Sequence, residues 1–426
     1  VRRPIEEQKM TQFTDVQAAE ILDSRGNPTL AVTLRTADGL TGRAGVPSGA
    51  STGAGEAVEL RDGDPRRYGG RGVLGAVAHV NGEIRDLLQG RAFAGQQEVD
   101  EALIALDATA DKSRLGANAT VGASMAAARI FAAERGEPLW RSLAPDGVAA
   151  WMPVPHFNVV NGGAHAAGTL EFQEFMIAPL GAPSEHEAVR AGAEVYRALR
   201  GRLTVLGHAT GLGDEGGFAP GIGRVEDVLD VLVASIKAAG YTPGRTGVAI
   251  ALDPAANGFY QRGRYHVDGQ ELSSAEMIEW YASLTERYPI WSVEDGLAED
   301  DWDGWIALTA RLGDRVQIVG DDIFVTNPAV ITKAIEAGIG NAALIKVNQI
   351  GTVTETLEAM AVCRRAGYSQ MISHRSGETT DDFIADLAVG SGCGQIKSGA
   401  PARGERVAKY NRLTEIETES KLPYGI

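Results

Sequence analysis

The sequence predicts an α/β protein: a C-terminal (β/α) barrel preceded by a smaller α+β capping domain. Three observations carry that reading. The chain has 426 residues, more than the roughly 250–300 over which a single hydrophobic core keeps growing, so two domains are expected. Beyond Trp151, short apolar segments alternate with longer amphipathic stretches, as in a parallel sheet with helical crossovers. The length of that half and the number of its repeats favour closure into a barrel over an open sheet.

Taken in order, the first dozen residues are polar and read as loose. Over 15–46 apolar residues recur in short alternating runs, and Asp38-Gly39 separates AVTLRT from LTGRAGV, a turn dipeptide between two strand patterns. The small, Gly-rich stretch 48–55 lacks the lysine of a phosphate-binding P-loop and reads as a flexible lid. Helical periodicity covers 72–88, 97–107 and 117–134, the last rich in Ala with Ser and Gly for close packing. The junction falls near 147–150, which divides the chain into 1–146 and 147–426. In the second part strands are expected at 156–160, 175–178, 248–252, 291–293, 316–319, 343–345, 370–372 and 395–396. Helical spacing occupies 185–206, 225–239, 275–286, 328–337, 353–366 and 382–389 between them.

Forty basic against 56 acidic residues give a net charge of −16. A nucleic-acid binder or a protein held to anionic membrane normally needs a basic surface, so neither is expected. No apolar run approaches the roughly 18 residues of a membrane span, and no secretory h-region opens the chain. Two cysteines, Cys363 and Cys393, are too few for a disulfide framework or a zinc site, and the cytoplasm is the expected compartment. Only eight of the 40 basic residues are lysines. Two of these, Lys346 in ALIKVN and Lys397 in GQIKSG, stand in apolar, strand-like settings where a cation is costly unless paired. Lysine, unlike arginine, can lose its proton when desolvated.

The chemistry lies at the strand ends. Asp253 follows AIAL, Glu294 follows WSV, Asp321 follows IVG, Lys346 follows ALI, His374 follows MIS and Lys397 follows GQI. In a barrel of parallel strands every such end opens on one face, so six polar groups far apart in sequence would converge on one pocket. Three carboxylates from neighbouring strands suit a hard cation with oxygen ligands, best Mg²⁺. A structural salt-bridge cluster with Lys346 and Lys397 is the other way to use the same residues.

Further motifs occur in a fixed order: Asp23-Ser-Arg-Gly-Asn-Pro-Thr29, Val46-Pro-Ser-Gly-Ala-Ser-Thr-Gly53, Asn161-Gly-Gly-Ala-His165, Gln173-Glu-Phe175, Gly213-Asp-Glu-Gly-Gly-Phe-Ala-Pro220, Gly320-Asp-Asp322, Lys346-Val-Asn-Gln-Ile-Gly351, Ser373-His-Arg-Ser-Gly-Glu378 and Lys397-Ser-Gly-Ala-Pro-Ala-Arg403. Through their number, order and spacing the chain resembles the enolases over nearly its whole length. The resemblance implies an enolase-type barrel and dehydration of 2-phosphoglycerate to phosphoenolpyruvate with two Mg²⁺ per site. It further implies that Asp253, Glu294 and Asp321 hold one metal and that Ser51 joins the second. Lys346 matches the general base and Glu215 the acid, helped by Glu174. His165, Lys397, His374, Arg375 and Ser376 match substrate contacts. A phosphorylated small-molecule partner and a homo-oligomer, dimer or octamer, complete the expectation.

The chemistry requires these types. Removing a proton α to a carboxylate puts a second negative charge on it, which divalent cations and Lys397 would stabilise. A lysine base needs a lowered pKa, which burial and metal charge are expected to provide; the use of Lys with Mg²⁺ in this superfamily is a known pattern. Hydroxide leaves poorly and needs an acid, and Glu215, flanked by glycines that permit close approach, suits that role. Some positions depart from the family pattern. Pro254 follows Asp253, Gly296 follows Glu294-Asp295, Ala164 precedes His165, His156 replaces a usual Met, and Ala31 a usual Glu. Ordinary phosphopyruvate hydratase activity is the first reading. An enolase-like enzyme of specialised metabolism, such as a carboxyphosphonoenolpyruvate synthase, is the second, and a non-catalytic binding or structural role the third.

Overall fold

A computed structural model describes residues 10–50, 52–166 and 170–426. The N-terminal part is an antiparallel sheet made of β1 (Thr11–Leu22), β2 (Pro28–Thr36), β3 (Thr41–Gly45) and β4 (Ala92–Phe93), in the order β3-β2-β1-β4. Its first turn is closed by Asp23, whose Oδ1 accepts from the backbone N–H of Arg25 (2.8 Å) and Asn27 (2.9 Å). Asp38-Gly39 forms the expected second turn, with Gly39 at a φ of 91°. The helix Ala117–Glu134 lies on this sheet and is buried along most of its length. Small residues permit that closeness, since a Cβ on Gly42 would stand 2.0 Å from the carbonyl oxygen of Ala126.

The second part is a closed barrel of β5 (Val154–Asn161), β6 (Glu174–Ala178), β7 (Ala249–Asp253), β11 (Ile290–Glu294), β12 (Gln317–Gly320), β13 (Ala342–Ile345), β14 (Ser369–Ser373) and β15 (Gly394–Lys397). Between β7 and β11 the chain makes a small outer sheet, β8 (Tyr260–Gln261), β9 (Arg264–Val267) and β10 (Gln270–Leu272). All eight expected barrel strands form, but they are not all parallel: β6 runs antiparallel to both β5 and β7. The loop 162–173 supplies no crossover α-helix among its described residues, so the chain re-enters the barrel from the rim it has just left. The reversal places Glu174, the first residue of β6, in register with Asn161 and Asp253, the last residues of β5 and β7. A strand that opens on the site with its first residue therefore serves as well as one that ends there.

Among the described residues, two helices longer than one turn lie outside the expected ranges. Trp302–Leu312 carries Gly304 in its first turn, where a Cβ would meet the Asp301 cap at 2.5 Å. Gly404–Ser420 buries Arg406, Lys409, Tyr410, Leu413 and Ile416. Two of those five are cations, so hydrophobic periodicity does not reveal this helix. Inside the barrel, beneath the rim, Gln317 and Gln395 exchange side-chain hydrogen bonds of 2.9 and 2.7 Å. Beside them His156 packs its ring 5.5 Å from that of Trp291, and burial lowers its pKa to about 4. His156 is thus a neutral packing residue. Among the described residues, no helix is long and apolar enough to cross a membrane.

One buried acid makes stability depend on pH. Glu185 opens the helix Glu185–Val205, where Ser184 caps Glu187 N–H at 3.2 Å and Glu417 accepts from the Glu185 N–H at 2.7 Å. Its own carboxyl is fully buried, receives one bond from the Thr414 hydroxyl (3.0 Å), and leaves Oε1 without a partner. Burial raises its pKa from 4.5 to about 8. A raised acid contributes stability in full below its unfolded pKa and loses it as pH rises through the folded value. Glu185→Gln should therefore melt close to the parent near pH 4.5 and progressively above it up to pH 8, with a constant gap beyond. Melting curves across pH 4.5–9 check this; a gap independent of pH would contradict it.

Candidate active site

The residues expected at the strand ends do meet at one rim. Lys397 reaches Glu294 Oε1 at 2.6 Å, Asp253 Oδ2 at 3.4 Å and both oxygens of Glu174 at 3.4 Å. Lys346 donates to Asp321 Oδ2 at 2.5 Å. A cavity of about 20 Å³ is lined by His165, Glu174, Glu215, Asp253, Lys346, His374, Arg375, Ser376 and Lys397, among others. The two lysines that stand in apolar, strand-like settings are both there.

The carboxylates suit a divalent cation. Glu294 is buried, and its Oε2 has no hydrogen-bond partner among the described residues, an arrangement costly for a carboxylate unless a cation completes it. Asp253, Glu294 and Asp321 offer hard oxygen donors, with the ammonium groups of Lys397 and Lys346 lying against them. A closer grouping, with ligand atoms within 4.8 Å of one another, is Asp295, Asp321 and Asp322. Asp295 is already engaged: it accepts from the backbone N–H of Asp321 (2.8 Å) and Asp322 (2.9 Å), so it shapes the turn that presents Asp321. Its signal in the sequence is the doubled acid, Glu294-Asp295 facing Asp321-Asp322.

The expectation of a lowered Lys346 pKa rests on burial together with metal charge; among the protein groups alone the balance runs the other way. Burial does push it down, but the Asp321 carboxylate outweighs that and holds the ammonium above its ordinary range. Lys397 behaves likewise: burial is overcome by Glu174, Glu294 and Asp253. Without metal charge on the carboxylates, each lysine keeps its proton.

On the other side of the cavity stand Glu174 and Glu215. His165 lies between them, with Nδ1 3.8 Å from Glu174 Oε1 and Nε2 3.6 Å from Glu215 Oε1. Glu215 also receives Asn158 Nδ2 at 2.9 Å and has His374 Nε2 at 3.4 Å. Burial and the neighbouring Glu215 push Glu174 well above the usual carboxylate range. The glycines around Glu215 matter as expected: a Cβ on Gly213 or Gly217 would stand 2.6 or 2.7 Å from the Asn161 side chain.

His374 is neutral, lowered by burial to about 3. Its Nδ1 faces Arg406 Nη1 at 2.5 Å, and Arg406 also donates to the carbonyls of Arg375 (2.8 Å) and Ser376 (2.5 Å). This buried arginine of the C-terminal helix fixes the 374–376 turn. Sequence reading passed over it, although its apolar helix neighbours offered a hint. Arg25, from the first motif, donates to Ser376 Oγ (3.3 Å) and to the carbonyl of Gly49 (3.1 Å). Arg375 is gripped by Glu56, also unforeseen. Ser51 lies outside the described residues.

The departures are absorbed locally. Pro254 offers no N–H, and Asp253 Oδ1 accepts instead from Ala255 N–H at 2.9 Å. The Gly296 carbonyl accepts from the Tyr281 hydroxyl at 2.9 Å, and Ala164 is exposed. None of the three lines the cavity.

Comparison with known proteins gives a consistent picture. The family described as the enolase N-terminal domain matches residues 13–143, and that described as the enolase C-terminal TIM barrel domain matches 149–422. A curated protein named Enolase from Rubrobacter xylanophilus is 56% identical over 410 residues, covering 96% of this chain and 95% of its own length.

Proposed function

This chain belongs to the enolase family, and from that premise we propose how the residues at its rim divide the work. The protein is a phosphopyruvate hydratase: it removes water from 2-phosphoglycerate to give phosphoenolpyruvate, acting on a phosphorylated acid with the help of divalent metal. The single observation that carries the residue assignment is one cavity lined both by Lys346 and by a carboxyl pair, Glu174 and Glu215, with His165 between the two.

Lys346 takes the C2 proton. Glu215 delivers a proton to the departing hydroxyl, drawing it from Glu174, with His165 lying between the two carboxyl groups. Neutral His374, Arg375 and Ser376 bind the anionic groups of the substrate, and Lys397 lies beside the carboxylate on which charge develops. Asp253, Glu294 and Asp321, together with Ser51, would hold Mg²⁺, two per site, which when bound stabilises the doubly charged carboxylate. Once a metal takes its share of Asp321, the partner that keeps Lys346 protonated is weakened, and burial is left to lower it. The chain is read as a cytoplasmic homo-oligomer, dimer or octamer, with a domain boundary near 146/147.

The test is direct: purified protein, Mg²⁺ and 2-phosphoglycerate, with phosphoenolpyruvate followed by its ultraviolet absorbance. Turnover is expected on the order of the 1–10³ s⁻¹ common to enzymes. Absence of turnover in folded, metal-loaded protein would overturn the assignment and return attention to a related phospho- or phosphono-acid.

A further inference from the structure

The cations of the site are each met by a carboxylate, yet not in the same way. Lys397 and Lys346 are held chiefly by Glu294, Asp253 and Asp321, the proposed metal ligands, with Glu174 also 3.4 Å from Lys397, so metal binding would compete for most of the carboxylates that pair these ammonium groups. Arg375 is held by Glu56, which is no proposed ligand. Its Nη1 donates to Glu56 Oε2 at 2.9 Å and its Nη2 to Glu56 Oε1 at 3.1 Å, a fork-to-fork pair. Both side chains are buried, 3% and 8% exposed. Metal alone would leave this pair intact.

Glu56 is also tied to the backbone around it. Its Oε1 accepts from Gly53 N–H at 3.2 Å and from Gln349 Nε2 at 3.2 Å. The same Gln349 amide donates to Asp321 Oδ1 at 2.8 Å, and the Gln349 carbonyl accepts from Ala57 N–H at 2.8 Å. Segment 53–57 is thereby fastened to Arg375 through one side chain. A cavity of about 420 Å³, lined by Gly53, Ala54, Glu56, Glu59, Asn118 and Arg375 among others, lies beside it and gives that side chain room to move.

We propose that Glu56 is the internal counter-anion of Arg375, displaced by the anionic end of the substrate, so that substrate binding and release of segment 53–57 are one event. This rests on the reading of Arg375 as an anion-binding residue. A guanidinium fork accepts carboxylate and phosphate in the same bidentate manner. Two anions on one buried fork repel, and a buried arginine left with neither is strongly unfavourable, so exchange of one for the other is the accessible route. Glu56 is a positioning residue: it sets the affinity of the anion site without touching the reacting atoms.

The experiment uses the full-length, Mg²⁺-loaded enzyme with inorganic phosphate as a competitive probe against 2-phosphoglycerate, and hydrogen exchange across 53–57. In Glu56→Gln the phosphate inhibition constant should fall about tenfold and KM should fall more than kcat changes. Exchange at 53–57 in the anion-free variant should reach the level that phosphate induces in the parent. Glu299→Ala, which removes the 3.2 Å tether from Ala54 N–H, should keep parental phosphate affinity. Unchanged or weaker phosphate binding in Glu56→Gln overturns the proposal, since Glu56 would then only support Arg375. Arg375→Ala separates the two readings. If it loses phosphate inhibition while Glu56→Gln is unchanged, only the counter-anion role fails; if it keeps parental inhibition, the anion-site reading itself fails. Should Glu56→Gln not fold, Glu56→Asp, with its shorter reach, should tighten phosphate binding to a lesser extent, and unchanged binding there counts against the proposal.

Discussion

Lys346→Ala should lower kcat by about 10⁴-fold, the upper range for removal of a general base, and should stop exchange of the C2 proton with solvent deuterium. The exchange readout matters more than the rate. Any damage to the rim slows turnover, but only loss of the base prevents the proton from leaving at all. The structure gives a second arm to this test. Lys346 is 2.5 Å from Asp321 and is held protonated by it, so removing the ammonium leaves a buried carboxylate facing only the Gln349 amide at 2.8 Å. Lys346→Met, close in size and uncharged, should therefore abolish exchange as fully as alanine does. Persistent exchange in either variant would assign the base elsewhere. Restoration of exchange at high pH would not rescue the lysine reading, because neither replacement titrates.

The residues in that argument were legible at different depths. The barrel strands and the rim residues Asp253, Glu294, Asp321, Lys346, His374 and Lys397 could be read because each follows a short apolar run, and because lysine is rare in this chain. The direction of β6 could not. Periodicity is the same for a strand read up or down, and only the missing crossover helix before Glu174 betrays the reversal. Glu174 nevertheless stands out through its motif, Gln173-Glu-Phe175. Arg406 and Glu56 were invisible for another reason: their partners, His374 and Arg375, lie 32 and 319 positions away along the chain. Polar pairings of that kind follow from the closed fold and leave no local pattern. Protonation was the least legible property. Burial alone predicts a lowered lysine, and among the protein groups the Asp321 carboxylate outweighs it.

Chelation should abolish substrate binding as well as turnover, and the charges in the site say why. Asp253, Glu294, Asp321, Glu174 and Glu215 oppose Lys346, Lys397 and Arg375, an excess of acid even before Glu56 is counted. Burial and Glu215 push the Glu174 pKa well above the usual range, and a proton there would remove only one of those charges. A phosphorylated acid approaching this rim meets cations that are already paired and carboxylates that repel it. Juxtaposed like charges cost several kcal/mol, so affinity for 2-phosphoglycerate should fall by about 10²–10³-fold without metal. Calorimetry of chelated protein, with and without added Mg²⁺, measures this, and a melting curve establishes that the chelated protein is folded. Glu294→Gln should reproduce part of the effect in the presence of Mg²⁺, because it replaces the buried Oε2 that no protein donor satisfies and with it one ligand charge. Equal substrate affinity in chelated and Mg²⁺-loaded protein would mean that the lysines, not the metal, carry the anion, and that Asp253, Glu294 and Asp321 serve only to hold Lys397 and Lys346 in place.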